Sequence, residues 1–160
     1  MGHAAQIERK GSDELLRTAS LLGGRATFKM DFASRLMVHE EILEGFPSAA
    51  LTTLVEQVDL LKRAGFLERA IGVTVRTLQR RKGEAVARAL SPEQSGRAWK
   101  FAEILSQATK VFGTQEEAEN WLQRPALGLN QKRPIDLLST PAGVELVEAH
   151  LERIEFGVYE

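Results

Sequence analysis

Apolar residues along this chain recur three and four positions apart and almost nowhere alternate with polar ones. That spacing sets them on one side of a 3.6-residue turn and predicts helices, not strands. Residues 13–22 carry Leu15, Leu16, Ala19 and Leu22 in this register and stop at Gly23-Gly24. Residues 25–43 are less regular. Asp31 is placed to cap a helix bearing Phe32, Leu36 and Leu43, with a short strand over 35–39 as the alternative. After a break at Gly45-Phe46-Pro47, with Ser48 as cap, Leu51, Leu54, Val58 and Leu61 form one apolar stripe that ends at Gly65.

Two later helix starts have sharper chemistry. In Ser91-Pro92-Glu93-Gln94 a serine is placed to cap, proline takes the first helical position, and Gln sits where its side chain can reach back. The helix behind it presents Ala98, Ala102, Leu105 and Phe112, and Gly113 ends it. Thr114-Gln115-Glu116-Glu117 repeats the device for a short helix with Ala118, Trp121 and Leu122 that halts before Pro125. Residues 124–134 read as loop. Thr140-Pro141 opens a last helix with Val144, Val147, Leu151 and Ile154 in register, closing at Gly157. The expected fold class is all-α.

Between these elements lies the most specific local pattern. Leu67 to Ile71 reads as a short helix, Gly72 as a tight turn, and Thr74 as the cap of a second helix whose inward residue is Leu78. A helix-turn-helix needs that order. Thr74, Arg76, Thr77, Gln79, Arg80 and Arg81 then point outward, and each residue type suits DNA. Arg can pair with guanine, Gln with adenine, and Thr can touch a phosphate or a thymine methyl. Glu68 stands where the close helix crossing usually takes Ala, so its carboxylate must point away or be paired.

Charge supports the same segment. The net charge of −1 conceals an asymmetry. Residues 59–90 hold eight Lys or Arg against three Asp or Glu, a net of +5, whereas residues 91–160 net −4. A basic middle between acidic flanks fits a polyanion partner for the middle alone.

Composition narrows the rest. With 43% hydrophobic and 27% charged residues the chain reads as globular. The absence of cysteine excludes disulfides, thiolate zinc sites and cysteine nucleophiles. No apolar run approaches the ~18 residues of a membrane span, and the start of the chain lacks a signal peptide's apolar core, so a cytoplasmic protein is expected. His3, His39 and His150 show no metal-ligand spacing, and Gly23-Gly24 is not a nucleotide loop. No cofactor, metal or enzymatic activity is expected.

Several short motifs arrive together in order. They are Arg76-Thr77-Leu78-Gln79-Arg80-Arg81, then Leu90-Ser91-Pro92-Glu93-Gln94-Ser95, then residues 108–113 with Ala118, Trp121 and Leu122. The run 126–138 and the ending Ile154-Glu155-Phe156-Gly157-Val158-Tyr159 follow. From residue 45 onward the chain resembles the Xre/ParS-type antitoxins that accompany RES-domain toxins. The resemblance implies a helix-turn-helix half that represses its own operon by binding operator DNA. It also implies a second half that binds a cognate RES-domain toxin, one that attacks NAD, and blocks its active site.

The expected organisation is a helical segment over 1–44, a DNA-binding segment over 45–90, and a toxin-binding segment over 91–160. Loop residues Leu127, Asn130 and Arg133, with Glu152, Glu155, Phe156 and Tyr159 at the acidic end, are the candidate toxin contacts. Trp99 and Trp121 are candidate interface anchors, with core packing favoured for Trp121. A single motif reads only a half-site, so a homodimer is expected, and a higher-order complex with toxin. Part of residues 25–47 is expected to build the dimer interface, because the apolar residues there, including Phe28, Met30, Phe32, Leu36, Met37, Ile42 and Phe46, exceed what a loop needs. The rival class is a helical adaptor whose Arg-rich helix meets an acidic protein and no DNA.

Overall fold

A computed structural model describes residues 2–63 and 65–157, and among these there are helices and no strand. The order is α1 (Gly2–Leu21), α2 (Gly24–Phe28), α3 (Arg35–Glu44), α4 (Ser48–Gln57) and α5 (Asp59–Lys62). Then come α6 (Phe66–Ile71), α7 (Val75–Lys82), α8 (Pro92–Phe112), α9 (Gln115–Leu122) and α10 (Pro141–Glu155). The stretch between α9 and α10 holds two 3-10 turns, Leu127–Leu129 and Pro134–Leu137, where the sequence reads as loop.

Helix α8 is the axle. Its N-terminus carries the expected capping box: Gln94 N donates to Ser91 Oγ (3.1 Å), and Ser91 N to Gln94 Oε1 (3.2 Å). Ser95, Ala98, Trp99, Phe101, Ala102, Ile104, Leu105 and Ala108 are all buried, so the helix is covered on most of its sides. It packs against α1, α3, α6, α9 and α10. One hydrophobic cluster runs through all of them, from Leu15 to Leu151. The stripe Leu51, Leu54, Val58 and Leu61 is fully buried as expected. The helix bearing it breaks at Val58, whose extended backbone separates α4 from α5.

The N-terminal segment departs from its sequence pattern in three ways. Helix α1 begins at Gly2, eleven residues before the apolar register starts, and its exposed residues 4–10 are mostly good helix formers. The cap of α3 is Ser34, which accepts from Met37 N (3.3 Å), while Asp31 instead pairs with Arg25 (3.0 Å). Leu36 and Leu43, expected on an inward face, are 65% and 59% exposed. Val38, on the opposite side of α3, is the residue that turns inward.

Aromatic residues explain what 25–47 does with its other apolar groups. Phe28 meets Phe32 and Phe46 edge-on, each with centroids 5.0 Å apart, and Phe32 meets Trp99 at 5.5 Å. Phe28, Phe32, Phe46 and Trp99 therefore belong to the core, and Trp99 is not a surface anchor. Ser95 Oγ, fully buried, accepts from Phe46 N (2.8 Å), and Leu90 N donates to the Phe46 carbonyl (2.8 Å). These bonds tie the start of α4 to the start of α8.

Candidate functional site

Helix α6 buries Phe66, Leu67, Ala70 and Ile71 and stops at Gly72, which takes the left-handed conformation (φ 80°). Glycine reaches this region without the Cβ strain other residues incur. The Gly72 amide donates to the Glu68 carbonyl (2.8 Å), closing the helix end. The Glu68 side chain points to solvent, which removes the conflict its position raised. Val73 is buried beneath the turn, and Thr74 caps α7 by accepting from Thr77 N (3.1 Å). Thr77 and Thr74 hydroxyls also bond to each other (2.9 Å).

On α7 only Leu78 is buried, so the helix is held by one face and offers the other. Arg76, Gln79 and Arg80 are exposed together, with Thr74 at the leading end and Thr77 half-buried beside it. Arg81 behaves differently. It is half-buried, and its Nε and Nη1 are shielded from solvent with no hydrogen-bond partner, so it turns toward the protein rather than out with Arg80. Lys82 reaches Glu56 (3.7 Å). The surface of α7 therefore presents two exposed arginines, one glutamine and a threonine, backed by a cationic last turn.

The stretch between α9 and α10 is ordered by its own backbone. Ala126 N donates to the Lys132 carbonyl (3.1 Å), and Gln131 N to Ala126 (2.9 Å), which closes a tight loop. At its tip Leu127 is 70% exposed, and Asn130 and Gln131 both take left-handed φ. Leu129 and Ile135 tuck under the adjacent helices. Arg133, assigned to the partner surface from sequence, is committed inside the chain. Its Nε and Nη2 donate to Asp136 (2.6 and 3.0 Å), and its guanidinium lies 5.2 Å from the Phe66 ring centroid. Arg69 Nη1 on α6 donates to the same Asp136 (2.8 Å). The Arg133 hydrogen bonds, and after them the charges of Arg133 and Arg69, overcome burial and hold the Asp136 carboxyl below its ordinary range.

The C-terminal end of α10 forms one wall of a cleft of about 800 Å³, with α8 as its floor and α1 as its other wall. Glu148, Glu152, Glu155 and Phe156 line it from α10, and Phe156 is 72% exposed. Glu155 lies 4.0 Å from Lys110. Lys100, pushed down by burial, is raised overall by its contacts with Glu103 (2.6 Å) and Glu148 (3.2 Å), so its ammonium stays charged. Tyr159 lies outside the described residues. Trp121 is half-buried, 5.5 Å from Phe112 and stacked on His150 at 6.3 Å, a packing role as favoured.

Sequence reasoning brought Arg76, Gln79 and Arg80 to one surface and missed what holds them there. Arg97 on α8 donates through Nε to the Ala70 carbonyl (3.1 Å) and through Nη2 to that of Arg69 (2.7 Å). Its partners lie 27 and 28 residues away, so no local pattern marks it. The α1 wall of the cleft, with Glu8, Lys10 and Arg17, was likewise invisible, because nothing in their spacing points to a site. Among the described residues no cluster of His, Asp and Glu could hold a metal, and no helix is long and apolar enough to cross a membrane.

Comparison with known proteins converges on one group. Residues 107–157 match the family described as the antitoxin Xre/MbcA/ParS C-terminal toxin-binding domain. An Antitoxin Xre of Pseudomonas putida is 30% identical over 127 residues, covering 79% of this chain and 76% of that protein. An Antitoxin Xre of Photorhabdus laumondii is 31% identical over 98 residues, covering 59% of this chain and 63% of that one.

Proposed function

The chain belongs to the Xre antitoxin family, and from that premise we propose that it neutralises a cognate RES-domain toxin and represses its own operon. Antitoxins of this family are not enzymes, and the work of this chain is binding. The division of labour we infer gives operator DNA to residues 45–90 and toxin to residues 91–160. The first is read by α6, the Gly72 turn and α7, acting as a helix-turn-helix.

One observation carries the DNA reading. Arg76, Gln79 and Arg80 stand exposed on the outer face of a helix that is buried only at Leu78 and capped by Thr74. Side chains of that chemistry on such a helix reach base edges and phosphates in a major groove. The toxin reading is supported by the family match over 107–157. Within it, exposed Leu127 and Asn130 at the loop tip, and Glu152, Glu155 and Phe156 along the cleft, supply contacts. An acidic wall of this kind suits a toxin whose own site is basic enough to hold the phosphates of NAD. Residues 156–160, Tyr159 included, contribute to covering the toxin's active site.

A homodimer follows from the geometry of half-sites. Since Phe28, Phe32 and Phe46 are spent on the core, the dimer surface narrows to the outer face of α3. Leu36 and Leu43 lie there seven residues apart, both exposed.

Two assays test the whole reading. A DNA fragment from upstream of the gene should be shifted by the protein, with affinity falling steeply as salt rises. Co-expression with a cognate RES-domain toxin should restore growth and yield a stable complex. Toxin neutralisation without any salt-dependent DNA binding would reduce the protein to an adaptor.

A further inference from the structure

The last carbonyls of a helix have no partner inside it and must find one elsewhere. In α6 this matters more than usual, because a six-residue helix cannot stand without outside support. The Gly72 amide takes the Glu68 carbonyl, and the next two carbonyls, Arg69 and Ala70, are both taken by Arg97. A cation at a helix C-terminus is also favoured by the helix dipole. Arg97 passes so close to the turn that a Cβ on Gly72 would lie 2.6 Å from its Nη1. Arg69 is gripped a second time, its side chain bonded to Asp136 beyond α9. Both grips come from residues after 90, outside the segment that reads DNA.

We propose that Arg97 is a positioning residue for DNA recognition, supported by Asp136. It fixes the end of α6 and the Gly72 turn, and so the angle at which α7 presents Arg76, Gln79 and Arg80. This rests on reading α6 and α7 as the DNA-binding unit. Arg97 acts through the carbonyls it holds and touches no phosphate. Affinity falls in proportion to the fraction of molecules that hold the binding arrangement, so an α6–α7 angle kept about one tenth of the time without Arg97 corresponds to about a tenfold loss.

The test is fluorescence anisotropy of the full chain with a labelled duplex from upstream of its gene, titrated across a series of salt concentrations. Arg97→Ala should bind about tenfold more weakly at every salt. Its slope of log affinity against log salt should equal that of the wild type. Arg76→Ala, which removes a cation facing the DNA, should weaken binding and flatten that slope by about one. Arg97→Lys keeps the charge but offers one ammonium to two carbonyls, and should fall between Arg97→Ala and wild type. Should Arg97→Ala fail to fold, Arg97→Lys and Asp136→Asn carry the same comparison.

Amide exchange at Gly72 and Val73 should quicken in these variants without DNA present. Binding by Arg97→Ala equal to wild type overturns the proposal, as does a slope flattened like that of Arg76→Ala, which would mark a direct phosphate contact. Wild-type protein that shows no salt-dependent binding overturns the DNA reading itself, a result distinct from either.

Discussion

Two glycines in helices should respond to the same substitution with opposite sign. Gly143 sits in the first turn of α10, where its amide donates to the capping Thr140 hydroxyl (3.1 Å). A Cβ at this position would lie 1.9 Å from the Leu137 carbonyl oxygen, 2.8 Å from its carbon and 3.2 Å from its Cα. All three are backbone atoms, so no side chain can swing aside. Relief requires α10 and the Pro134–Leu137 turn to part by about 1 Å, and overpacking of that kind costs about 1–3 kcal/mol. The intrinsic helix preference for Ala over Gly offsets at most about 1 kcal/mol of this. Gly143→Ala should therefore lose about 1–2 kcal/mol, which for a chain of this size lowers Tm by about 2–8 °C. Gly11, in the middle of α1, would place its Cβ with nothing within 4 Å. Gly11→Ala should raise stability by about 0.5–1 kcal/mol. Thermal melts followed by far-ultraviolet circular dichroism read both. A Gly143→Ala protein that melts at or above the wild-type temperature would refute the close approach of α10 to the Leu137 backbone.

Arg76→Ala and Arg80→Ala should each cost about 1–3 kcal/mol of operator binding. Both should still neutralise the toxin in a growth assay, and loss of neutralisation in a folded variant would refute the division of labour. Leu36→Asp with Leu43→Asp places charge on the exposed face of α3, and sedimentation should show a dimer reduced to monomer, with helix content by circular dichroism unchanged and Tm no longer dependent on protein concentration. Asp136→Asn should destabilise the protein at neutral pH, because the carboxyl of Asp136 is held below its ordinary value in the folded state. That contribution exists above the unfolded value of 3.8 and is lost as pH falls through the lower folded value. The stability gap between wild type and variant should thus close in strong acid, and a gap that persists there would place the effect elsewhere.

Cap chemistry was legible at most of the later helix starts, where it is local; Ser48, expected as a cap, is instead the first residue of α4, preceded by Pro47 and making no side-chain cap bond. Ser91 with Gln94, Thr114, Thr140, Thr74 and the stop at Gly72 all lie where their residue types predict, because a cap is decided by a side chain and an amide three residues apart. Residues 25–47 were less legible. Their apolar count predicts burial without saying against what. The same count covers Phe32 in the core and Leu36 on the surface, four residues apart. Ser34 and Asp31 are equally good caps in isolation, and Asp31 lost the role to its pairing with Arg25.

The candidate site divides along the same line. Periodicity and composition by themselves determined an all-α chain, the turn at Gly72, and a second helix whose exposed face carries Arg76, Gln79 and Arg80. These follow from interactions within one or two turns of helix. Only the tertiary structure decided that Arg81 turns inward and that Arg133 spends its charge on Asp136. It also decided that the carbonyls ending α6 belong to Arg97. The Arg69–Asp136 and Arg97–Ala70 contacts span 67 and 27 positions and form only once α8 has gathered the other helices around it. Arg133 and Asp136 lie three positions apart, but Arg69 and the Phe66 ring of α6 complete their pairing.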